Sequence, residues 1–250
     1  MRPASDMTPR GTERVGLITI TRNDGPRLLE TIESVRQQSA ASRITHIIVD
    51  SSTEPQGPLP GDRHIILTPP RGVYAALNEG IRECREDIIG MVHGNDALAS
   101  PDIIAEVLRI FGSDPDLDFV YGKVVYRRPG ARKFCRIYDG ALFRPELLEC
   151  GFVPPHPSLF VRRRVFEKVG LYDESFKVCG DTEMWLRLFD PGNAFRYRYI
   201  PLVTTIMSTG GISSKFWNRL LVHLPEKRRA LRMHDRTASY FRLLKRFLYL

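Results

Sequence analysis

The chain has 250 residues, of which 42% are apolar and 26% charged, a composition typical of a soluble globular protein with a sizeable core. It contains no run of about 18 apolar residues, so no membrane-spanning helix is expected. The four cysteines are scattered without a Cys-x-x-Cys pair. This spacing argues against a zinc site or a disulfide framework and indicates a reduced, cytosolic protein.

The net charge of +8 is concentrated at the C-terminal end. Residues 215–250 hold ten Lys/Arg and two Asp/Glu, which leaves 27 residues of each sign in residues 1–214. Residues 1–13 are polar and lack the apolar stretch of a signal peptide, so a disordered tail is expected there. We therefore predict this tail, a globular domain at 14–214, and a basic amphipathic helical tail at 215–250.

The first half of the chain predicts alternating strands and helices. Apolar runs predict strands at 15–20, 44–49, 64–67 and 88–92, and helical spacing follows at about 26–35, 73–84 and 103–111. Asp24 is predicted to cap the first helix, and Ser100 with Pro101 to begin the third. This order predicts an α/β fold with a mostly parallel sheet flanked by helices.

The second half is less regular. A strand is predicted at 118–126, and short helices at 163–169 and 181–189. Three prolines exclude a helix at 152–157.

Polar side chains occur where the predicted strands of the first half end. They are Thr19, Thr21, Asp50, Arg71, Asn95 and Asp96. In a parallel sheet these positions share one edge, at which α/β proteins bind ligands. Hydroxyl and carboxylate groups suit a nucleoside base, Arg71 suits a phosphate or a base carbonyl, and Asn95 with Asp96 offers oxygen ligands to a divalent cation. Each residue taken alone also fits an ordinary turn or surface position.

Two common nucleotide motifs are absent. The sequence has neither Gly-x-Gly-x-x-Gly nor Gly-x-x-x-x-Gly-Lys-Ser/Thr, which argues against a dinucleotide oxidoreductase and a P-loop NTPase. In the second half, Asp181 is a candidate for the base that a transfer to a hydroxyl requires, with a helix N-cap as the alternative. His156 lies between prolines, so its backbone is rigid. From the sequence alone it is interpreted as a packed or solvated histidine.

Four ordered segments resemble the family 2 glycosyltransferases. They are Ile-Thr-Ile-Thr-Arg-Asn at 18–23, Ile-Ile-Val-Asp-Ser-Ser-Thr at 47–53, the Pro-Arg-Gly segment ending in Asn-Glu-Gly at 70–80, and a set running from His-Pro-Ser-Leu-Phe at 156–160 to Asp-Thr-Glu-Met-Trp-Leu-Arg-Leu at 181–188. The resemblance covers about residues 14–214. It implies a GT-A fold, with a Rossmann-like nucleotide half and a mixed acceptor half.

The resemblance also implies an activity. The enzyme would transfer a sugar, with inversion, from a nucleotide diphosphate donor, most commonly UDP-linked, to a hydroxyl of a glycan or lipid-linked acceptor in polysaccharide biosynthesis. The implied roles are nucleotide binding by Thr19, Thr21, Asp50, Arg71 and Asn95, Mn²⁺ or Mg²⁺ binding by Asp96, general base for Asp181, and acceptor-side contacts for His156 and Trp185.

The sequence departs from the family pattern at several points. Where the family has an Asp-x-Asp type motif, this chain has His93-Gly94-Asn95-Asp96, with a single acidic residue. The base motif is Gly-Asp in place of Glu-Asp. The Gln-x-x-Arg-Trp motif of processive synthases is absent, so a single transfer is expected. The alternatives are a GT-A-like sugar nucleotidyltransferase and a non-catalytic scaffold that binds a membrane or a partner.

The basic tail leaves two interpretations open. Aromatic and leucine residues interleaved with Lys and Arg are typical of a helix that lies on an anionic membrane surface. The same pattern fits a helix that packs on the domain with a solvated basic face. We expect a cytoplasmic protein, with peripheral attachment to the inner face of the cell membrane under the first interpretation. No nucleic-acid motif accompanies the charge, so no nucleic-acid partner is expected.

Overall fold

The computed structural model describes residues 13–53, 59, 64–209 and 222–236. Within these residues the strands are β1 Val15–Thr21, β2 Ile44–Asp50, β3 His64–Leu67, β4 Ile88–Met91, β5 Ala97–Leu98, β6 Phe119–Arg127, β7 Phe134–Asp139, β8 Phe160–Arg162 and β9 Tyr197–Ser208. The helices are α1 Pro26–Arg36, α2 Val73–Glu83, α3 Ile103–Ser113, α4 Arg163–Val169, α5 Gly180–Leu188 and α6 Leu224–Met233.

One mixed sheet organises these elements. Its strand order is β3-β2-β1-β4-β8-β6-β9-β5, and β7 pairs with β6 outside this path. Strands β3, β2, β1 and β4 are parallel, whereas β8 is antiparallel to both β4 and β6. Because β9 is parallel to β6, strands β1, β2, β4, β6 and β9 all end at one edge, which we call the carboxyl edge. The chain order reverses between β1 and β4, the position at which sheets of this kind form a ligand crevice.

The apolar residues of the sheet alternate between two covered faces. Ile18 belongs to a core that includes Leu77 of α2 and Trp185 of α5. Its neighbour Leu17 belongs to a second core, together with Ile104 and Phe111 of α3. Burial on both faces explains why the first strands are continuous apolar runs.

The elements predicted for the first half are confirmed, with two corrections at helix starts. Helix α1 has Gly25 as its N-cap, because the Asp24 carboxylate accepts hydrogen bonds from the Thr21 hydroxyl and the Arg22 N–H. Helix α3 begins at Ile103, not at Ser100. The Gln38 side chain, two residues after α1, donates to the Ser100 carbonyl at 2.7 Å and accepts the Ile104 N–H at 3.1 Å, so Gln38 and not Ser100 satisfies an N–H of the first turn of α3.

The predicted strand at 118–126 and the predicted helices at 163–169 and 181–189 are also present. Strands β5, β7, β8 and β9 were not predicted. In the described parts of the chain, no helix has the length and apolar character needed to cross a membrane.

Candidate active site

Three loops meet at the carboxyl edge and are hydrogen-bonded to one another. Strands β1 and β2 are paired in register from Val15 with Ile44 to Thr21 with Asp50, so the last residues of both strands are adjacent. The Ser51 N–H donates to the Thr21 carbonyl at 3.0 Å, and the Gly94 N–H donates to the Ile20 carbonyl at 2.9 Å. The predicted convergence of Thr21, Asp50 and the loop after β4 is therefore present.

The loop after β4 packs tightly on the loop after β1. A Cβ atom at Gly94 would lie 2.7 Å from Asp24 Oδ2 and 2.8 Å from both Cβ and Oγ1 of Thr21. The Thr21 hydroxyl donates to Asp24 Oδ2 at 2.8 Å. Glycine is required at this position because any side chain would push the two loops apart.

Asp50 and Thr19 occupy different environments. Asp50 lies at the carboxyl edge, is 8% exposed, and accepts the Ser52 N–H at 2.8 Å, as in the turn interpretation. Thr19 is fully buried inside the sheet and shares a 2.8 Å hydrogen bond with His46 Nε2. The predicted nucleotide contact of Thr19 does not fit this position, because its hydroxyl faces a neighbouring strand and not the edge.

Arg71 lies at the carboxyl edge in the loop before α2. Its side chain is about half exposed (54%) and forms an ion pair with Glu79 of that helix. Such an exposed pair contributes little to stability. The guanidinium can therefore exchange Glu79 for an incoming anion at small cost.

Asp96 is the most deeply buried carboxylate of the edge. It is 5% exposed, and its Oδ1 accepts the Ser208 N–H from the end of β9 at 2.9 Å. Its backbone carbonyl accepts the Thr31 hydroxyl at 2.6 Å. Burial raises the pKa of Asp96 to about 7, and the nearby Asp24 carboxylate adds to the rise while the Ser208 N–H opposes it.

The oxygen atoms at this edge are of the type that Mg²⁺ or Mn²⁺ prefers. Among the described residues, no group of three His, Cys, Asp or Glu side chains could hold a metal ion. A cation bound on a diphosphate needs only one or two protein carboxylates, because phosphate oxygens and water complete its shell. The buried, electrostatically unfavourable Asp96 carboxylate next to half-buried Asn95 fits that limited role.

Asp181 is held at the start of α5 by the first turn of α2. The Tyr74 hydroxyl donates to the Val178 carbonyl at 2.7 Å and accepts the Asp181 N–H at 3.2 Å. A Cβ atom at Gly180 would lie 2.8 Å from the Tyr74 ring, so only glycine permits this packing. Asp181 is half-buried, and its Oδ1 accepts the Thr182 N–H at 2.7 Å.

Asp181 does not have the helix-capping role that the sequence offers as an alternative to a base. The N-cap of α5 is Cys179, and Asp181 is the second residue of the helix. A carboxylate in the first turn is still favoured by the helix dipole. Burial, reinforced by the charge of Asp181, raises the pKa of Tyr74 well above its usual value.

A pair of neutral histidines lies beside Asp181 and was not predicted as a unit. The rings of His93 and His156 are stacked with centroids 6.4 Å apart, and His156 Nε2 is 2.7 Å from the Tyr172 hydroxyl. Burial lowers the pKa of each histidine to about 4. For His93, proximity to His156 lowers the pKa further, and the carboxylates of Asp24 and Asp181 partly oppose this. The Tyr172 ring stacks on Tyr74 with centroids 5.7 Å apart, and Tyr74 accepts the Asp181 N–H, so these contacts join the histidine pair to Asp181.

Trp185 is not on an open acceptor surface. It is fully buried, with ring centroids 6.1 Å from Phe119, 5.9 Å from Tyr121 and 5.4 Å from Phe189. Its predicted acceptor contact is therefore replaced by a packing role beneath α5. The (i, i+4) spacing of Trp185 and Phe189 was the available signal for such packing.

Helix α6 supports the loop that leads into α5. Glu226 Oε1 accepts the Lys177 N–H at 2.7 Å, and Oε2 accepts the N–H groups of Val178 and Cys179, each at 2.9 Å. His234 Nε2 lies 3.0 Å from Glu183 of α5. The sequence suggested none of these contacts, because they join residues about 50 positions apart.

Part of the predicted basic tail, residues 222–236, is described by the structure. Leu224, Ala230 and Leu231 of α6 are buried in the core that contains α5. For residues 222–236 the packing interpretation is therefore correct. The rest of the predicted tail, and residues 1–12 of the predicted N-terminal tail, lie outside the described residues.

Comparison with known proteins decides the family. The family model of glycosyl transferase family 2 matches residues 17–170, which is more than half of the chain. The chain belongs to glycosyl transferase family 2. It is a glycosyltransferase with the GT-A fold, as its resemblance to the family implied.

Curated relatives agree. An uncharacterized glycosyltransferase of Mycobacterium tuberculosis is 28% identical over 179 residues, covering 69% of this chain and 68% of the relative. A PGL/p-HBAD biosynthesis glycosyltransferase of Mycobacterium bovis is 28% identical over 145 residues, covering 58% of this chain and 54% of the relative. The chain thus spans about half of that second protein.

Solved structures show the same fold. S. aureus TarS 1-349 in complex with UDP-GlcNAc superposes with a TM-score of 0.63 at 12% identity, covering 88% of this chain and 65% of that one. The mannosyltransferase PcManGT from Pyrobaculum calidifontis, in complex with GDP-Man and Mn²⁺, gives a TM-score of 0.58 at 17% identity, covering 92% and 70%. Both of these neighbours are complexes with a nucleotide sugar.

Proposed function

We propose that this glycosyltransferase transfers a sugar, with inversion, from a UDP-sugar to a hydroxyl of a glycan or lipid-linked acceptor in polysaccharide biosynthesis. The observation that carries the proposal is the meeting of the nucleotide-type loops with Asp181 at one sheet edge. Tyr74, in the first turn of α2 at that edge, accepts the Asp181 N–H and so brings the start of α5 to the loops. A donor bound over the loops would therefore lie within reach of a base on α5.

The donor end of the site is assigned to the loops after β1, β2 and β4. Thr21 and Asp50 would bind the base, and Asn95 the ribose or diphosphate. Arg71 would leave Glu79 for the nucleotide, since exposed ion pairs are weak. The UDP-GlcNAc and GDP-Man complexes of the neighbours support a nucleoside diphosphate donor without deciding the base.

Asp181 is proposed as the general base that accepts the proton of the acceptor hydroxyl. Its carboxylate is half-buried, and its position is fixed by Tyr74, Gly180 and the first turn of α5. General-base catalysis typically contributes 10²–10⁴-fold to a rate, or about 3–5 kcal/mol. The stacked His93 and His156 are neutral near pH 7, so they can hydrogen-bond sugar hydroxyls without competing for that proton.

A divalent cation is proposed as part of the donor complex. Asp96, with the carbonyl of Asn95, would hold Mn²⁺ or Mg²⁺ once the diphosphate supplies the remaining ligands. When bound, the cation would neutralise charge that develops on the leaving diphosphate. Asp24 and Asp96 would otherwise both repel that diphosphate, so binding of metal and of nucleotide should be coupled.

The first experiment is calorimetric titration of UDP into the protein at low salt, with and without Mn²⁺. Binding that requires Mn²⁺ supports the donor and the metal site together. Binding without metal keeps the donor and removes Asp96 from a metal role. Failure to bind UDP while another nucleoside diphosphate binds would correct the base, and failure of all of them would favour the scaffold alternative.

The base is tested by Asp181→Asn, with Asp116→Asn as the matched control. Asp116 is exposed, pairs with Arg196, and lies at the opposite edge of the sheet. We expect Asp181→Asn to lower UDP release from the productive UDP-sugar by at least about 100-fold with unchanged UDP affinity. Equal activity of both variants would remove Asp181 from the mechanism.

A further inference from the structure

The hairpin of β6 and β7 carries a run of positive charge that the activity does not use. Residues 127–138 contain five Arg or Lys and no Asp or Glu. They are Arg127, Arg128, Arg132, Lys133 and Arg136. This run is separate from the basic C-terminal tail and belongs to a folded part of the chain.

Most of these cations have no anionic partner. Arg127 lies 3.8 Å from Glu30, a residue with a largely exposed side chain. Among the described residues, no carboxylate lies within ion-pair distance of the other four. The Arg136 guanidinium lies over the rings of Tyr126 and Tyr138, 4.9 and 5.9 Å from their centroids, which fixes it on the hairpin surface.

Apolar side chains are exposed on the same hairpin and directly after it. Phe134 is 54% exposed, Ile137 62% and Leu142 68%. Strand β7 pairs with β6 on one side, and no described strand covers its other side. An exposed edge strand with apolar side chains is usually covered by something else.

The hairpin leaves the sheet beside the proposed active site. Its base is tied to the end of β9, where the Thr209 N–H donates to the Arg127 carbonyl at 3.0 Å. The preceding residue, Ser208, is the one that donates to Asp96. A surface bound by the hairpin would therefore lie next to the carboxyl edge.

We propose that the β6–β7 hairpin binds the surface of an anionic phospholipid membrane. The unpaired cations would attract acidic headgroups, and Phe134 and Ile137 would enter the boundary between headgroups and acyl chains. Ile137 and Leu142 are exposed aliphatic side chains that cannot stack on bases, and they favour a lipid surface over nucleic acid, which is bound by aromatic stacking and phosphate contacts. Binding here would present a lipid-linked acceptor to the site.

The test is co-sedimentation of the full chain with two kinds of vesicle. One is phosphatidylcholine alone, and the other also contains about 30% of the anionic lipid phosphatidylglycerol. No donor is present, so the result does not depend on the proposed function. We expect binding to the anionic vesicles that weakens with salt. Arg132→Gln with Lys133→Gln should reduce partitioning about 30-fold, because each cation near such a surface contributes about fivefold.

Two further variants complete the test. Phe134→Ser removes the apolar contact and should weaken binding at high salt, where attraction between charges is screened. Arg85→Gln with Arg109→Gln removes two exposed cations from other surfaces and should leave binding unchanged. All substituted side chains are exposed, so equal unfolding midpoints are expected.

Three results would overturn the proposal. One is that wild-type protein does not bind anionic vesicles. Another is that the hairpin variants bind like the wild type, as they would if residues outside the hairpin were responsible. The third is that an RNA or DNA duplex competes with the vesicles for the protein and binds the hairpin variants more weakly than the wild type. That result would make the hairpin a nucleic-acid surface.

Discussion

Replacing Glu226 by glutamine is expected to slow turnover while leaving nucleotide affinity nearly unchanged. The carboxylate accepts three backbone N–H groups of the loop 177–179, which ends at the N-cap of α5. Asp181 follows two residues later. The substitution therefore acts on the position of the proposed base through the backbone, and it leaves the loops after β1, β2 and β4 untouched.

The magnitude follows from the geometry. Oε2 accepts two of the three bonds, so the single carbonyl oxygen of glutamine can keep those two and lose the one from Lys177. A charge-assisted hydrogen bond contributes about 1.5–3 kcal/mol, and partial exposure of Glu226 reduces this to about 1–2 kcal/mol. In a chain of this size that corresponds to a fall in Tm of about 2–8 °C. A shift of the base by about 1 Å lowers kcat by about 100-fold.

The assay measures kcat and the KM for the donor in Glu226→Gln, Glu226→Asp and a control, Glu167→Gln, whose exposed side chain lies on α4. The aspartate variant keeps the charge and should recover part of the lost kcat. The control should match the wild type. If Glu226→Gln lowers Tm but leaves kcat unchanged, the loop does not position Asp181 and the reasoning is wrong.

Three other substitutions test the packing of the site and its core. Gly94→Ala should weaken UDP binding by at least about tenfold in calorimetry, because its Cβ overlaps the loop after β1. The control Gly112→Ala should bind UDP normally, because the nearest atom of the described residues that a Cβ there would meet lies 3.9 Å away. Trp185→Ala should cost about 3–5 kcal/mol in denaturant unfolding, and a smaller loss would mean that the aromatic cluster relaxes around the cavity. Burial alone would raise the pKa of Glu183, but hydrogen bonds from His234 and Arg187 hold it below its usual value. The ionised Glu183 carboxylate therefore stabilises the fold above about pH 4.3, and this contribution is lost as the pH falls through the lower pKa that Glu183 has in the folded protein. The difference in unfolding free energy between wild type and Glu183→Gln should therefore shrink below about pH 4.

Buried parallel strands were predictable because their apolar runs are local signals. The runs that became β1, β2 and β4 could be recognised without knowledge of their neighbours, and α2 and α5 showed helical spacing. The position of polar residues at the ends of these strands followed from parallel pairing alone. This is why Thr21, Asp50 and Asp96 could be expected to meet at one edge.

The strands of the acceptor half were not predictable from the same signals. Strand β8 has three residues and β5 has two, which is too short for a period to show. Strand β9 has twelve residues but contains Pro201 and mixed exposure, and its pairing with β6 joins distant parts of the chain. Long-range pairing also explains why the contacts of Glu226 and Asp96 could not be seen in the sequence.

The burial of Asp96 links the fold to the proposed chemistry. Its carboxylate joins the loop after β4 to β9 through Ser208, so this carboxylate has a structural contact that does not depend on a ligand. Yet burial near Asp24 raises the pKa of Asp96 to about 7, which shows that its charge is poorly compensated within the protein. A proton or a bound cation would reduce the free energy needed to bury this charge. Because the loop supplies one acidic residue, a divalent ion would gain most of its ligands from the diphosphate of the donor, and each would stabilise the binding of the other.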